Sequence, residues 1–199
     1  LARVKTQVPD VMLVIAGEGP ARRPLERQVR RLGLTDQVLF TGYLDRDGSL
    51  EDCYSAGDAF VFASRTETQG LVLLESMALG TPVVAMSVMG TREVLRPGHG
   101  CLIAEDDEDH FAAQCVRLLR EPVLRANLSA QGRAYAQSWS APALADRMLD
   151  FYARAIADAR VGHDDTLLPL AAVEPLAGAA AEEATTRVVA AEQPRSAVR

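Results

Sequence analysis

The chain has 199 residues, of which 48% are hydrophobic, so it is long enough to bury the core of one globular domain. Its formal net charge is −6 and its pI is about 5.1, which argues against a basic surface for nucleic acid. The sequence shows no apolar run that could span a bilayer, no signal peptide and no Cys/His cluster. We therefore expect a cytoplasmic protein with reduced thiols, no metal site and no nucleic-acid partner.

The predicted elements begin with a continuous apolar run, Val11–Ala16. A run without polar interruptions is typical of a parallel strand that is covered on both faces. It ends at a glycine-rich turn, Gly17–Pro20, which is followed by an arginine-rich helical segment. The apolar positions of that segment recur on one helical face, at Leu25, Val29 and Leu32. This pattern predicts a buried strand followed by an amphipathic helix.

Short apolar runs separated by helical segments continue along the chain. Further strands are predicted at Val38–Phe40, Ala59–Ala63, Pro82–Ala85 and Cys101–Ile103. Helical segments are predicted between them, at Leu50–Ala56, Leu71–Leu79 and Glu93–Leu95. Three longer helices follow, at about Asp107–Arg120, Pro122–Ser138 and Pro142–Ala159.

Strands that alternate with helices imply βα units with right-handed crossovers, and hence a doubly wound α/β domain with a parallel sheet. In such a sheet, ligands bind outside the carboxyl ends of the strands. We therefore expect the segments that follow the strands to line one rim, namely Gly17, Gly42, residues 64–70, residues 86–90 and residues 104–106.

The composition changes after about residue 161. The segment 161–199 is rich in Ala, Glu, Val and Thr, has no aromatic residue, and carries six acidic residues against three arginines. It shows no sustained periodicity. We therefore divide the chain into a folded domain over residues 1–160 and a disordered or loosely helical tail over residues 161–199. A bound amphipathic helix around Ala179–Ala191 is the alternative.

Two carboxylates, Glu67 and Glu75, flank a glycine that opens the predicted apolar helix, Gly70. The amides of Gly70, Leu71 and Val72 have no acceptor within such a helix and carry the positive end of its dipole. A carboxylate can accept two hydroxyls at once, which suits a ribose diol or neighbouring sugar hydroxyls. On spacing alone, a helix cap at Glu67 and a solvated Glu75 are the simpler interpretation.

This segment resembles the E-x7-E signature of retaining GT-B glycosyltransferases of family 4, with Glu67 and Glu75 as its two acids. Other segments resemble the family in the same order and at consistent spacing over roughly residues 8–155. They include the strand with G-x-G-P, the V-x-F-x-G strand and the Y-x-x-A-D helix, with Ala63 in place of a proline. These segments are Leu13–Pro20, Val38–Tyr43, Tyr54–Ser64, Gly80–Val84 and Gly90–Val94.

The resemblance implies the C-terminal half of a GT-B fold, Rossmann-like, lacking its first strand and ending in helices that cross back to the other domain. It implies transfer of a hexosyl group from a nucleotide-diphosphate sugar with retention, without metal or other cofactor. Glu75 would hold the ribose diol, and Glu67 would be the catalytic contact to the donor sugar. The other donor-binding positions would be Gly17, Gly19, Gly42, Tyr43, Leu44, Thr68, Gln69, Gly70 and Leu71.

The same resemblance limits the expected activity. Residues 1–10 resemble the end of a helix that, in the family, follows a loop with a diphosphate-binding arginine and lysine. That loop and the N-terminal acceptor domain are absent from this sequence. We therefore expect an open edge or gap in the sheet, and little or no transferase activity from this chain alone.

The expected partners are a nucleotide sugar and the missing N-terminal acceptor domain. The variant E-T-Q-G at residues 67–70 resembles a subgroup that includes lipid glucosyltransferases, and a lipid acceptor would imply a peripheral contact at the inner face of the membrane. Two alternatives remain open. One is a non-catalytic fragment that binds nucleotide sugars, and the other is a GT-B-like sugar-nucleotide epimerase.

Overall fold

A computed structural model describes residues 1–161 of the chain. These residues fall into two compact units, residues 1–139 and residues 140–161. The tail predicted over residues 161–199 lies outside the described residues except for its first residue. The alternative helix around Ala179–Ala191 lies outside them as well.

The elements agree with the predicted ones to within about two residues at each end. The helices are α1 (Ala2–Lys5), α2 (Arg22–Arg31), α3 (Ser49–Ala56), α4 (Leu71–Ala78), α5 (Thr91–Val94), α6 (Glu108–Arg120), α7 (Pro122–Gln137) and α8 (Ala141–Val161). The strands are β1 (Leu13–Ala16), β2 (Val38–Gly42), β3 (Phe60–Phe62), β4 (Val83–Met86) and β5 (Cys101–Ala104).

Within residues 1–161 the five strands form two parallel sheets rather than one. β1 pairs with β2, with Leu13 opposite Val38, and β3, β4 and β5 form a second sheet in that order. The predicted α/β fold with parallel strands is thus confirmed. Two sheets leave four strands with an unpaired edge, where one sheet of five would leave two.

The hydrophobic core surrounds the three-stranded sheet. All four residues of β4 are buried, and alternate side chains point to opposite faces, as strand geometry requires. Val83 and Ala85 join a cluster with Leu73 and Met77 of α4. The other cluster contains the intervening Val84, together with Val4, Ala104, Cys115, Val116, Leu118 and Leu128.

The first strand departs from its prediction. A strand covered on both faces was expected at Val11–Ala16, but the side chain of Val14 is 45% exposed and that of Leu39 in β2 is 50% exposed. The physical reason is packing on the faces: neither cluster of the hydrophobic core includes a residue of β1 or β2, so the faces of these strands stay partly open. The strand β3 is open in part as well, since Val61 is 37% exposed.

The helix α7 meets the chain just before β5 at a contact between two glycines. Gly100 has φ 87°, a conformation that L-residues with side chains rarely adopt. A Cβ atom at Gly100 would lie 2.4 Å from Cα of Gly132 in α7. Farther along α7, the hydroxyl of Tyr135 donates to the carbonyl of Val94 at 2.8 Å. Tyr135 and Trp139 pack against the core.

The three cysteines are free thiols. Cys101 and Cys115 are buried, and burial raises the pKa of each thiol to about 11. Cys53 is half-buried. The two core thiols are therefore held in their neutral form.

The helix α8 belongs to the second unit. Its apolar side chains are exposed, and they recur at helical spacing at Leu144, Met148, Phe151, Tyr152 and Ile156. No helix among the described residues combines the length and the hydropathy needed to cross a membrane.

Candidate functional site

Two contacts join the loops that follow β3, β4 and β5, and a third joins the loop after β2 to α4. The Arg65 guanidinium, after β3, forms a bidentate pair with the Asp106 carboxylate, after β5, at 3.0 and 2.5 Å. The amide of Gly90, after β4, donates to the carbonyl of Glu67 at 3.0 Å. Arg46, which follows β2, pairs with a residue of α4 as described below. The predicted rim is therefore a connected set of loops.

The carboxylate of Glu67 binds the amides that lead into α4, those of the N-cap residue Gly70 and of Gln69 before it, and we call this arrangement the cap of α4. Its Oε1 accepts hydrogen bonds from the amides of Gly70 at 2.9 Å and Gln69 at 3.0 Å. These backbone bonds, that of Gly70 first, lower the pKa of Glu67 below its usual value. An ionised carboxylate is thus fixed at the positive end of the helix dipole.

This cap changes the expected role of the first amides of α4. The amide of Gly70 was expected to face the donor, but in this structure it donates to Glu67. The amides of Leu71 and Val72 remain in the first helical turn, where the helix itself offers no acceptor. Gly70 is needed for its backbone, with φ 71° and ψ 23°, since a Cβ there would meet only ordinary contacts at 3.4 Å and beyond.

Glu75 is partly buried and paired. Its side chain is 30% exposed, and Oε1 accepts from Nη2 of Arg46 at 2.9 Å. The hydroxyl of Tyr54 in α3 lies 3.5 Å from Oε2, a long contact for a hydrogen bond. The simpler interpretation of Glu75 as a solvated acid is therefore wrong.

Tyr54 offers Glu75 a neutral hydroxyl. Its ring is half-buried and packs edge-on against Phe60, with ring centres 5.3 Å apart. Burial first, and the Glu75 charge second, raise the pKa of Tyr54. The hydroxyl therefore keeps its proton over the physiological range. The carbonyl of Tyr54 also accepts from the Thr81 hydroxyl at 2.6 Å, which ties α3 to the chain before β4.

The ends of β1 and β2 are tied together at the glycines that the sequence singles out. The amide of Gly17 donates to the carbonyl of Gly42 at 2.7 Å. The Glu18 carboxylate lies over Gly42 and pairs with Arg22 at 2.7 Å. Tyr43 is 62% exposed. The structure thus groups at one end of β1 and β2 the predicted positions Gly17, Gly19, Gly42, Tyr43 and Leu44.

The loop after β4 is held by one buried hydroxyl. Thr91 lies within 2.9 Å of the carbonyl of Met86 and accepts from the amide of Val88 at 2.8 Å. Met89, in the same loop, has φ 48° and a side chain that is 57% exposed. An apolar side chain on a strained backbone therefore stands at the rim, beside the Glu67 loop.

The site combines features that suit a polyhydroxylated anion. Two carboxylates can accept hydroxyls, while first-turn amides and the helix dipole favour a negative group. Within residues 1–161, no group of three or more His, Cys, Asp or Glu side chains is placed to hold a metal ion. Sequence reasoning missed Arg46, which no pattern marks, and gave Tyr54 no role at the site.

Comparison with known proteins gives consistent matches. A family model described as "Glycosyl transferases group 1" matches residues 1–121, more than half of the chain. The lipopolysaccharide core biosynthesis glycosyltransferase LpsD of Rhizobium meliloti (strain 1021) is 35% identical over 159 residues, 79% of this chain and 46% of that protein. A D-inositol 3-phosphate glycosyltransferase of Mycolicibacterium vanbaalenii is 34% identical over 182 residues, 84% of this chain and 40% of that protein. The chain thus spans less than half of either relative.

Solved structures show the same likeness. The sucrose-phosphate synthase of Thermosynechococcus elongatus superposes with a TM-score of 0.67 at 31% identity, over 79% of this chain and 41% of that one. Anabaena HepE, in complex with UDP and glucose, superposes with a TM-score of 0.64 over 76% of this chain and 44% of its own. At 19% identity, HepE shows likeness of fold alone.

Proposed function

Because this chain belongs to the glycosyl transferases group 1 family and has the GT-B fold of family 4-like enzymes, we propose that it is the donor-binding half of a retaining hexosyltransferase. The whole enzyme transfers a hexosyl group from a nucleotide-diphosphate sugar to an acceptor. It needs no metal ion and no other cofactor. It acts in the cytoplasm, at the inner face of the membrane if its acceptor is a lipid.

One observation carries the proposal: the carboxylate of Glu75 is partly buried, with one oxygen bonded to Arg46 and the other 3.5 Å from the hydroxyl of Tyr54. A carboxylate with 30% exposure, within reach of Arg46 and Tyr54, keeps a defined orientation. Each oxygen has two lone pairs, so one position on each is available to a hydroxyl. A ribose 2′,3′-diol presents two such hydroxyls side by side.

In this proposal, Glu67 and the start of α4 bind the hexose and diphosphate part of the donor. The ionised Glu67 carboxylate accepts hydroxyls of the hexose, while the first-turn amides of Leu71 and Val72 lie toward the diphosphate.

The acceptor side comes from the rest of a longer protein. The chain covers 46% and 40% of the two relatives described. A leaving diphosphate needs cationic stabilisation, and in this proposal those cations lie outside the present chain. The 199-residue chain therefore binds donor nucleotide but does not turn over the sugar donor.

Calorimetric titration with UDP tests the donor site. We expect Glu75→Gln to weaken binding by about ten- to a hundredfold, because hydrogen bonds to a charged group contribute about 1.5–3 kcal/mol. Glu121→Gln is the matched control, since it removes the same charge at an exposed ion pair between α6 and α7. Unchanged UDP binding by Glu75→Gln would contradict the assignment.

Incubation with UDP-glucose separates the proposal from its rivals. We expect no release of UDP and no new sugar nucleotide from the chain alone. Release of UDP at the rate of a two-domain enzyme would contradict the half-enzyme assignment. Conversion of UDP-glucose to an isomer without acceptor would favour an epimerase.

A further inference from the structure

Arg46 connects the loop after β2 to the acid on α4. It stands 29 residues before Glu75 in the chain, and its Nη2 lies 2.9 Å from Oε1 of that carboxylate. The arginine side chain is 55% exposed, whereas that of Glu75 is 30% exposed. The guanidinium therefore reaches from the surface onto a partly buried carboxylate.

A second carboxylate lies within the electrostatic reach of the same guanidinium. The hydrogen bond and charge of Glu75, and then the charge of Glu51, raise the pKa of Arg46. Oε2 of Glu51, in the first turn of α3, is buried and accepts no hydrogen bond from residues 1–161. Arg46 is thus the counter-charge for a pair of acids.

We propose that Arg46 is a positioning residue for Glu75, and that it strengthens binding of the nucleotide end of the donor. The inference rests on the proposed function, in which Glu75 binds the ribose diol. Arg46 bonds to Oε1 through a single nitrogen, which orients the carboxylate but leaves a lone pair on each oxygen for the diol.

The positive charge of Arg46, like its orienting bond to Glu75, favours binding of the nucleotide. A nucleoside diphosphate is an anion, and Glu51 and Glu75 would both repel it. The guanidinium offsets these charges, and the site is shielded in part from solvent, so screening is weaker than at an open surface. Loss of Arg46 would leave two uncompensated acids beside the incoming nucleotide.

Titration of the full chain with UDP tests the role of Arg46. We expect Arg46→Gln to weaken UDP binding about two- to fivefold, the range for a partly exposed ion pair. Arg46→Lys keeps the charge and should recover part of this loss. In the Arg46→Gln background, Glu51→Gln should also recover part, because it removes one repelling acid. Far-UV circular dichroism checks that every variant is folded.

Arg120→Gln is the matched control. It removes the same charge from an exposed position in the last turn of α6 and should leave UDP binding unchanged. Unchanged or tighter binding by Arg46→Gln would overturn the inference, and tighter binding would mean that Arg46 competes with the ribose.

A comparison with 2′-deoxy-UDP asks whether Arg46 acts through Glu75. This nucleotide lacks one hydroxyl of the diol, so the loss caused by Arg46→Gln should be smaller than with UDP. An equal loss with both nucleotides would overturn the positioning role.

The Glu75→Gln variant distinguishes failure of the proposed function from failure of the inference about Arg46. If it binds UDP as the wild type does, the proposed function fails. If it loses binding while Arg46→Gln does not, only the present inference fails. A wild-type chain that binds neither UDP, GDP nor ADP overturns both.

Discussion

The strands β1 and β4 are both runs of four apolar residues, yet they differ in burial. Val83–Met86 is buried at every position, whereas no residue of Leu13–Ala16 is. The difference lies in their neighbours. β4 has a strand on each side and a hydrophobic cluster on each face, while β1 has a strand on one side only.

The comparison shows that an apolar run predicts a strand but not its burial. The core of residues 1–139 is concentrated around β3, β4 and β5, and neither main cluster includes a residue of β1 or β2. We call these two parts the core sheet (β3–β5) and the edge sheet (β1–β2). They should differ in stability, and the tests below probe that difference from the largest expected effect to the smallest.

Matched leucine truncations should give the largest difference. Leu73 in α4 packs against the core sheet and is fully buried, whereas Leu39 in the edge sheet is 50% exposed. Leu73→Ala should lower the free energy of unfolding by about 2–5 kcal/mol, through lost burial and a cavity. Leu39→Ala should lower it by less than about 1 kcal/mol. Urea denaturation measures both, and equal losses would contradict the division into two sheets.

Hydrogen exchange should show the same contrast without substitutions. Amides of β4 should exchange only through global unfolding, and those of β1 at least about a hundredfold faster, because few buried contacts oppose local opening there. Mass spectrometry of peptides covering each strand measures the rates. Similar protection of β1 and β4 would mean that the edge sheet is as stable as the core sheet.

A smaller effect is expected at the cap of α4, which packs on the core sheet. Glu67→Ala should cost about 1 kcal/mol at pH 7, since two amides lose their acceptor. The backbone bonds lower the folded-state pKa of Glu67, so its contribution is present above the usual value of 4.5 and is lost as pH falls through the folded-state value.

The pH dependence of this loss is the sharper measurement. The difference in thermal midpoint between wild type and Glu67→Ala should be constant near neutral pH and shrink below about pH 4.5. Glu121→Ala, at an exposed ion pair, serves as the control and should change the midpoint little. A difference that persists at pH 2 would assign the loss to packing rather than to the cap.

Most of the fold could be predicted from the sequence because its signals are local. Apolar runs and turn glycines mark each strand, and the alternation of strands with helices fixes the parallel topology. The burial of β1 could not be predicted, because it depends on which elements pack against the faces of the strand. That information lies outside the residues of β1.

The site was predicted in part, for a similar reason. Glu67 and Glu75 stand in a recognisable pattern, and the structure shows what each carboxylate contacts. Arg46 carries no such mark, because its contact with Glu75 depends on how the loop after β2 folds against α4. Spacing alone allowed Glu67 to be a helix cap. Only the geometry shows that its carboxylate accepts from the amide of Gly70, which was expected to face the donor.

The glycine contact between α7 and the chain just before β5 also limits which sequences can keep this fold. A Cβ at position 132 would lie 3.3 Å from Cα of Gly100, so alanine there requires a shift of only a few tenths of an ångström. A Cβ at position 100 would lie 2.4 Å from Cα of Gly132 and 2.9 Å from its nitrogen. The two positions therefore tolerate mutation unequally. Gly132 in α7 can therefore be replaced by alanine with a small shift, whereas any side chain at position 100 requires α7 to move.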